Sequence, residues 1–561
     1  MPSNRGAAAA YAPYLLAQGG VKENRGKEHL MGDYDVVIAG AGQNGLSAAC
    51  YLAKAGLKVC ILEGKSYVGG GSVSITDEFG ASHDVASTGH MLIQQNPLIK
   101  NDELGLMSKY GLKYVSPEAT TVDLFVHKGF SITLWKDIDR ACEEIATKLN
   151  ESEAKAYREF YDFCQAVGPM LCLGMFGPPI PAEDMASALM GFGEIGLRLA
   201  RYTTMSAYEI ATELFETDEL REVTTRFVSE SMIGPFDPGT GSSFVAVMYM
   251  LHDGNAMAHA AGGSGALSDA MVAFCKDYGV EIRTNARIAK VLVEDGACTG
   301  FQLDSGEVVT GKRYLATLNV KQLFGSKGLV DPALMDPEFT KTVDNLRPSY
   351  YVALLQNITL SEVPDFKLID GVGTPATVTE QSRGYEHFKF IFDELHAGHP
   401  SPSDSSAIVL ASIHDPLRAG RNGETTLYLY NYEPYELYGD HENWKKYGDK
   451  IADEALEAFF TLTTNMDMSK VLYRSYNNPL DYENWNESWL AGDFCHISQE
   501  SDQGQSNRPF PGMSRYVTPI KGLYLGGASA WPGPVVSGGG RAVAQVLFEE
   551  MEIDFDATIN G

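Results

Sequence analysis

The stretch from Asp35 to Glu63 sets the tightest limit on how this chain folds. Asp35-Val36-Val37-Ile38-Ala39 is a short, almost continuous apolar run, the pattern of a parallel strand buried on both faces. Gly40-Ala41-Gly42-Gln43-Asn44-Gly45 follows at once. An Ala/Leu-rich helical stretch then runs from Leu46 to Ala55 and stops at Gly56. Lys58 to Leu62 reads as a second strand and delivers Glu63 at its carboxyl end, 18 residues beyond Gly45. Strand, glycines, helix, strand and acid in that order describe one unit of a doubly wound fold that binds a dinucleotide. Gly40 permits the tight turn, Gly42 lets a pyrophosphate approach the backbone, and Gly45 lets the helix pack close to the strand. The helix start offers unpaired N–H groups to phosphate, and Glu63 can accept from a ribose diol while disfavouring a 2′-phosphate. Gly371-Val372-Gly373-Thr374-Pro375-Ala376 has the same spacing, but Pro375 and the β-branched residues after it predict a loop rather than a helix start.

The chain has 561 residues, 44% of them hydrophobic, enough for about two to four structural units at about 150 residues each. Its 44 Lys+Arg against 73 Asp+Glu leave a net charge of −29, a field that repels phosphate backbones and excludes nucleic acid as a natural partner. Eight cysteines without a C-x-x-C pair read as reduced thiols, which points to the cytoplasm. No uninterrupted apolar run reaches the roughly 20 residues that span a bilayer. Residues 1–31, with a short apolar stretch broken by Pro13 and a second methionine at Met31, read as a flexible leader.

Six residues after Glu63 comes Gly69-Gly70-Gly71, followed by Ser72, where a second backbone stretch can approach the same ligand. Here the sequence resembles the FAD-dependent amine oxidase and phytoene desaturase superfamily, most of all its phytoene-dehydrogenase-like branch. The resemblance returns at Gly262-Gly263-Ser264-Gly265 with the helix and strand after it, and again at Tyr516 to Gly533 with the helix that follows. Gly492-Asp493-Phe494-Cys495-His496 and Arg508-Pro509-Phe510-Pro511-Gly512 match two further stretches of that branch. The resemblance implies an α/β fold: a Rossmann-type FAD-binding domain, glutathione-reductase-like, with a discontinuous α+β substrate domain. It implies FAD as cofactor, held by Gly40, Gly42, Gln43, Asn44, Gly45, Glu63, Gly69, Gly70, Gly71, Ser72, Ile288, Gly527, Ala528 and Val536. Ile288 would present its backbone to the adenine. Two positions depart from the pattern: many relatives carry Arg where Gly71 stands and an acid where Ala528 stands, so cofactor affinity would rest more on backbone donors.

The expected boundaries are a leader at 1–31, FAD-binding segments at 32–115, 255–325 and 505–561, and substrate segments at 116–254 and 326–504. Phe163 to Leu199 carries Met170, Met175, Met185 and Met190 around Gly177-Pro178-Pro179, either an adaptable apolar wall or lid, or ordinary helix packing. The second insertion is tyrosine-rich, with strand-like runs at Tyr350 to Gln356, Ala407 to Ser412 and Thr425 to Tyr432 and a helix near Trp444 to Thr463. Histidines and carboxylates form no metal constellation. His396 and His399 fall in a solvated loop, and His83-Asp84 is either a structural pair or a neighbour of the cofactor.

The expected chemistry is hydride transfer from a small hydrophobic or aromatic substrate to flavin, with oxygen or a quinone-type compound as final acceptor and no second nucleotide fingerprint for NAD(P)H. His496 is the candidate general base, because its ordinary pKa suits neutral pH. An amine oxidase, a flavin-dependent isomerase and a non-catalytic binding protein like the Rab GDP-dissociation inhibitors are the alternatives. A homo-oligomeric state stays open.

Overall fold

In this computed structural model residues 34–252, 256–504 and 507–560 are described; the expected leader lies outside them. Tyr34–Ala39 forms the middle strand of a five-stranded sheet, and Val36, Val37 and Ile38 are wholly buried, as a run apolar on both faces requires. Val59–Leu62 pairs beside it in parallel, and Glu281–Arg283 completes that side. On the other side Gly311–Ala316 and then Leu523–Leu525 add in parallel. Three distant parts of the sequence therefore share one sheet, and their carboxyl ends open at one edge, where a doubly wound fold binds its ligand.

The helix Gln43–Lys54 leaves the first strand through the glycine turn and lies against the sheet with ten of its residues buried. Gly45 makes this approach possible: a Cβ there would stand 2.1 Å from Gly40 O. The closing helix runs over Gly538–Glu550. Its glycines look like breakers in isolation, yet they are where it meets the first helix. A Cβ at Gly540 would stand 2.0 Å from Ser47 Oγ.

A second, seven-stranded sheet is built from Ala119–Phe125, Phe130–Trp135, Val352–Leu360, Ala376–Ser382, Ala407–Val409, Thr425–Glu433 and Val471–Asn477. All its pairings are antiparallel except that of Ala119–Phe125 with Ala376–Ser382. The strand expected over Ala407 to Ser412 ends at Val409, and Ala411–Ile413 turns as a 3-10 helix. Gly371 to Pro375 is a loop, as its proline predicts, and Ala376 opens a strand. Along Thr425–Glu433 the period-two rule divides the side chains. Leu427 and Leu429 pack with Leu456 and Phe459 of the helix Trp444–Thr461, while Tyr428, Tyr430 and Tyr432 face the helical insertion.

That insertion contains the long helix Glu151–Met175, the shorter helices Ala182–Gly191 and Glu194–Tyr202, and the buried helix Gly241–Leu251. Its inner end is tied to the closing segment: Trp531 Nε1 donates to Gly174 O at 2.9 Å, and Arg541 donates to Phe176 O at 2.6 Å while gripping Glu103 through two bonds of 2.8 and 2.9 Å. No helix among the described residues is long and apolar enough to cross a membrane.

Arg508 is the strongest tie among the loops of the closing segment. Its side chain is wholly buried and uses all five guanidinium donors on backbone carbonyls: Ala528, Ser498, Gln503, Cys495 and Ile497, at 2.6 to 3.1 Å. Lysine has three donors and cannot match this set. Arg508→Lys is expected to destabilise the fold by about 3 kcal/mol or more through the stranded carbonyls, read as a lowered chemical-denaturation midpoint. A midpoint within error of the parent would show that the five bonds contribute little.

Candidate active site

The edge where the three segments meet opens into one cavity of about 880 Å³. Of the fourteen residues expected to hold the cofactor, Gly40, Gly42, Gln43, Asn44, Glu63, Gly70, Gly71, Ser72, Ile288, Ala528 and Val536 line it. Gly45, Gly69 and Gly527 lie behind the wall. Gly69 N donates to Ala41 O at 2.8 Å and fixes the second glycine cluster on the first, and a Cβ at Gly527 would meet Thr317 O at 2.5 Å.

The residues fit a dinucleotide. Gly42 is open on its cavity side, since a Cβ there would meet nothing nearer than Gly70 Cα at 3.8 Å. Glu63 caps the second strand; its two oxygens accept from Ala41 N and Lys65 N, each at 2.9 Å, and burial raises its carboxyl above the usual range. Gln43 Oε1 accepts from Ser537 N, and Asn44 Oδ1 accepts from Gly540 N at 3.2 Å, so both side chains bind the two helix starts to each other.

The two departures from the family pattern have structural counterparts. Trp489 occupies the space beside Gly71, where a Cβ would stand 2.9 Å from Trp489 Cζ2. An arginine could not enter without displacing that ring. At Ala528 the backbone carbonyl is taken by Arg508 Nε at 2.8 Å, so the loop is held from behind instead of by an acidic side chain.

His496 also lines the cavity, through a loop that Asn319 Nδ2 pins by donating to His496 O at 2.9 Å. Its Nδ1 lies 3.1 Å from Ser529 Oγ. Burial first, and then the Arg508 charge, push its pKa down to about 3, so the imidazole is neutral at physiological pH and a poor proton acceptor. His83 and Asp84 stand away from the cavity. His83 Nε2 contacts Asp77 at 3.1 Å and Thr359 at 3.0 Å, and Asp84 pairs with Arg418 at 2.7 Å. His396 and His399 each meet a carboxylate, Asp237 and Glu394, and no cluster able to hold a metal occurs among the described residues.

Beyond the glycine end the wall is apolar and aromatic. Met170, Met175 and Met185 line it, as does Tyr428 with Tyr430, whereas Met190 points outward with 71% of its surface exposed. His90 lines the cavity as well, neutral because burial pushes it to about 4. Glu230 is not legible from the sequence, where nothing in Ser229-Glu230-Ser231 marks it. It is exposed, its surface opening into the cavity, and Tyr432 donates to its Oε1 at 3.0 Å. Desolvation by the protein around the cavity, helped by nearby Glu380, raises its pKa from 4.5 to about 7. The folded state therefore keeps a proton that the unfolded state releases, so this group lowers stability as pH rises from about 4.5 to about 7. Glu230→Gln is expected to match the parent's melting temperature at pH 4.5 and to exceed it by a margin that grows to pH 7 and then levels. A margin independent of pH would contradict the raised pKa.

The description "Flavin containing amine oxidoreductase" belongs to the family model that matches residues 45–361. One of the component chains of the limonene dehydrogenase of Castellaniella defragrans is 26% identical over 538 residues, covering 93% of this chain and 95% of its own. The lycopene-forming phytoene desaturase of Pseudescherichia vulneris is 24% identical over 539 residues, covering 92% and 99%. A solved putrescine oxidase with putrescine bound superposes with a TM-score of 0.59 at 15% identity, over 92% of this chain and 99% of that one, a likeness of fold. With a parallel sheet assembled from three segments around a glycine-lined cavity, and a family model matching more than half its length, this chain belongs to the flavin-containing amine oxidoreductase family and is an FAD-dependent oxidoreductase.

Proposed function

We propose that FAD lies along the cavity with its adenosine between Glu63 and Ile288, its pyrophosphate against Gly40 to Asn44 and Gly70 to Ser72, and its ring toward Ala528, Val536 and His496. In this reading residues 32–115, 255–325 and 505–561 form the cofactor domain, and 116–254 and 326–504 the substrate domain. The observation that carries the reading is continuity: the space that begins at the glycines runs without a partition into the methionine and tyrosine wall. When bound, FAD supplies the acceptor for a hydride from a substrate C–H, and oxygen or a quinone-type compound takes the electrons onward.

The chain's own residues orient that substrate and keep water out. Leu171, Met175, Met185, Phe227, Met250 and Val409 offer no hydrogen bond, which favours a hydrophobic or cyclic molecule. Two relatives are named for limonene and phytoene, in keeping with this choice. His496, neutral and tethered, serves as a hydrogen-bonding group at the edge of the ring site rather than as the base. Eight free thiols fit a cytoplasmic location; Cys50 and Cys275 stand 3.6 Å apart, sulfur to sulfur, unbonded.

Purified protein is expected to carry flavin absorbance, and Gly42→Val to lose it while keeping the circular-dichroism spectrum of the parent, because the valine side chain fills the pyrophosphate space. Anaerobic mixing of the parent with apolar cyclic hydrocarbons should bleach the flavin. A yellow Gly42→Val protein that bleaches normally would remove the pyrophosphate from this position.

A further inference from the structure

The ionisable groups lining the cavity are unevenly placed. Glu63, Lys65, Arg287 and Glu487 gather at the glycine end, where Arg287 pairs with Glu487 at 2.9 Å and Lys65 donates to Trp485 O. Glu230 stands apart from them, in the wall contributed by the helical insertion and the tyrosine strand. Among the described residues it takes part in no ion pair, and its single hydrogen bond comes from Tyr432. Arg226, one helical turn earlier, is consumed by Glu222, by Glu380 at 2.6 Å and by Asp123 at 3.8 Å.

The groups facing Glu230 are Tyr428, Tyr430 and Tyr432 of one strand, Tyr351 ahead of the neighbouring strand, and Glu380 of a third. None brings a positive charge. The hydroxyls of these tyrosines are otherwise committed: Tyr428 donates to Ala86 O, Tyr351 donates to Ser229 O at 2.8 Å, and Tyr430 reaches Met232 Sδ at 3.9 Å. Glu230 thus retains hydrogen-bonding capacity toward the cavity that no protein group uses.

We propose that Glu230 is a specificity-determining residue that recognises one hydroxyl group on an otherwise hydrocarbon substrate. This rests on the substrate reading above and narrows it. A hydroxyl suits the site because it can donate to the carboxylate and accept from the carboxylic acid, and so satisfies Glu230 in either protonation state. With a pKa raised to about 7 both states are populated at neutral pH. A pure hydrocarbon would cover the carboxyl and leave it unpaired, which disfavours binding.

The test uses three ligands of one skeleton, butylcyclohexane, 4-cyclohexylbutan-1-ol and 4-cyclohexylbutylamine, titrated calorimetrically into the flavin-loaded protein with the flavin absorbance followed in parallel. The alcohol is expected to bind at least about 10-fold tighter than the hydrocarbon, the worth of one recognised hydroxyl. Glu230→Leu should erase that ratio, with hydrocarbon affinity rising as the unpaired carboxyl is removed and alcohol affinity falling, and Glu230→Gln, which still donates and accepts, should keep most of it. Equal affinity for alcohol and hydrocarbon in the parent, or a preference that survives Glu230→Leu, would overturn the proposal. An amine that outbinds the alcohol through Glu230 would also overturn it, by replacing the hydroxyl with a cation. Flavin that is retained and responds to the ligands without preference refutes only this inference; absence of any response to all three sinks the substrate reading with it.

Discussion

Backbone must come very close to backbone around a space that no side chain enters, and the rest of this molecule follows from that requirement. The helix Gln43–Lys54 and the helix Gly538–Glu550 start side by side, with Gly540 so near Ser47 that a single methyl group would overlap it. Gly45 is pressed on Gly40 in the same way. These contacts bring two helix starts, with the positive ends of their dipoles, to one edge of the parallel sheet. The same glycines that close the packing behind the wall leave the front of the wall bare, as at Gly42.

A cavity walled by loops needs those loops held, and the closing segment holds them with polar groups instead of apolar packing. Arg508 gathers five carbonyls from three stretches, Ser529 Oγ accepts from Val320 N at 2.9 Å, and Asn319 reaches both Ser488 O and His496 O. Loops expose carbonyls that a strand would have paired, and once buried these need donors. One planar guanidinium with five N–H groups meets that need in a way several separate side chains would not. Arg508 has no carboxylate within ion-pairing distance among the described residues, so its burial is balanced by carbonyl dipoles.

Much of the half built on the five-stranded parallel sheet is legible in the sequence because its constraints are local. Strand, turn, helix and acid lie within one short span, and each position admits few residue types: only glycine fits at Gly45. The half built on the seven-stranded sheet is legible as elements, such as Thr425–Glu433 and Trp444–Thr461, and not as a site. Whether Met170 or Met190 faces the cavity depends on how separate helices turn relative to one another, which a methionine count does not contain. Gly71 reads as a missing arginine until Trp489, far along the chain, is seen beside it. His496 suits a general base by its ordinary pKa, yet the burial that brings it to the cavity also removes that property. Glu230 has no local signal; its character comes from what surrounds it in three dimensions.

Desolvation acts in opposite directions on those last two residues and reaches the same outcome. It lowers the histidine to about 3 and raises the carboxyl to about 7, so that His496 is neutral and Glu230 only half ionised near pH 7. His90, at about 4, follows the histidine. The cavity is therefore electrically graded: ionised groups stand at the glycine end, where a phosphate-bearing cofactor would be recognised, and nearly uncharged ones line the methionine and tyrosine end. For a chain carrying a net charge of −29, a nearly neutral interior lets an uncharged substrate enter without the attraction or repulsion that the outer surface would impose on an ion. Discrimination among uncharged molecules then falls to shape and to whichever polar group remains unpaired in the wall.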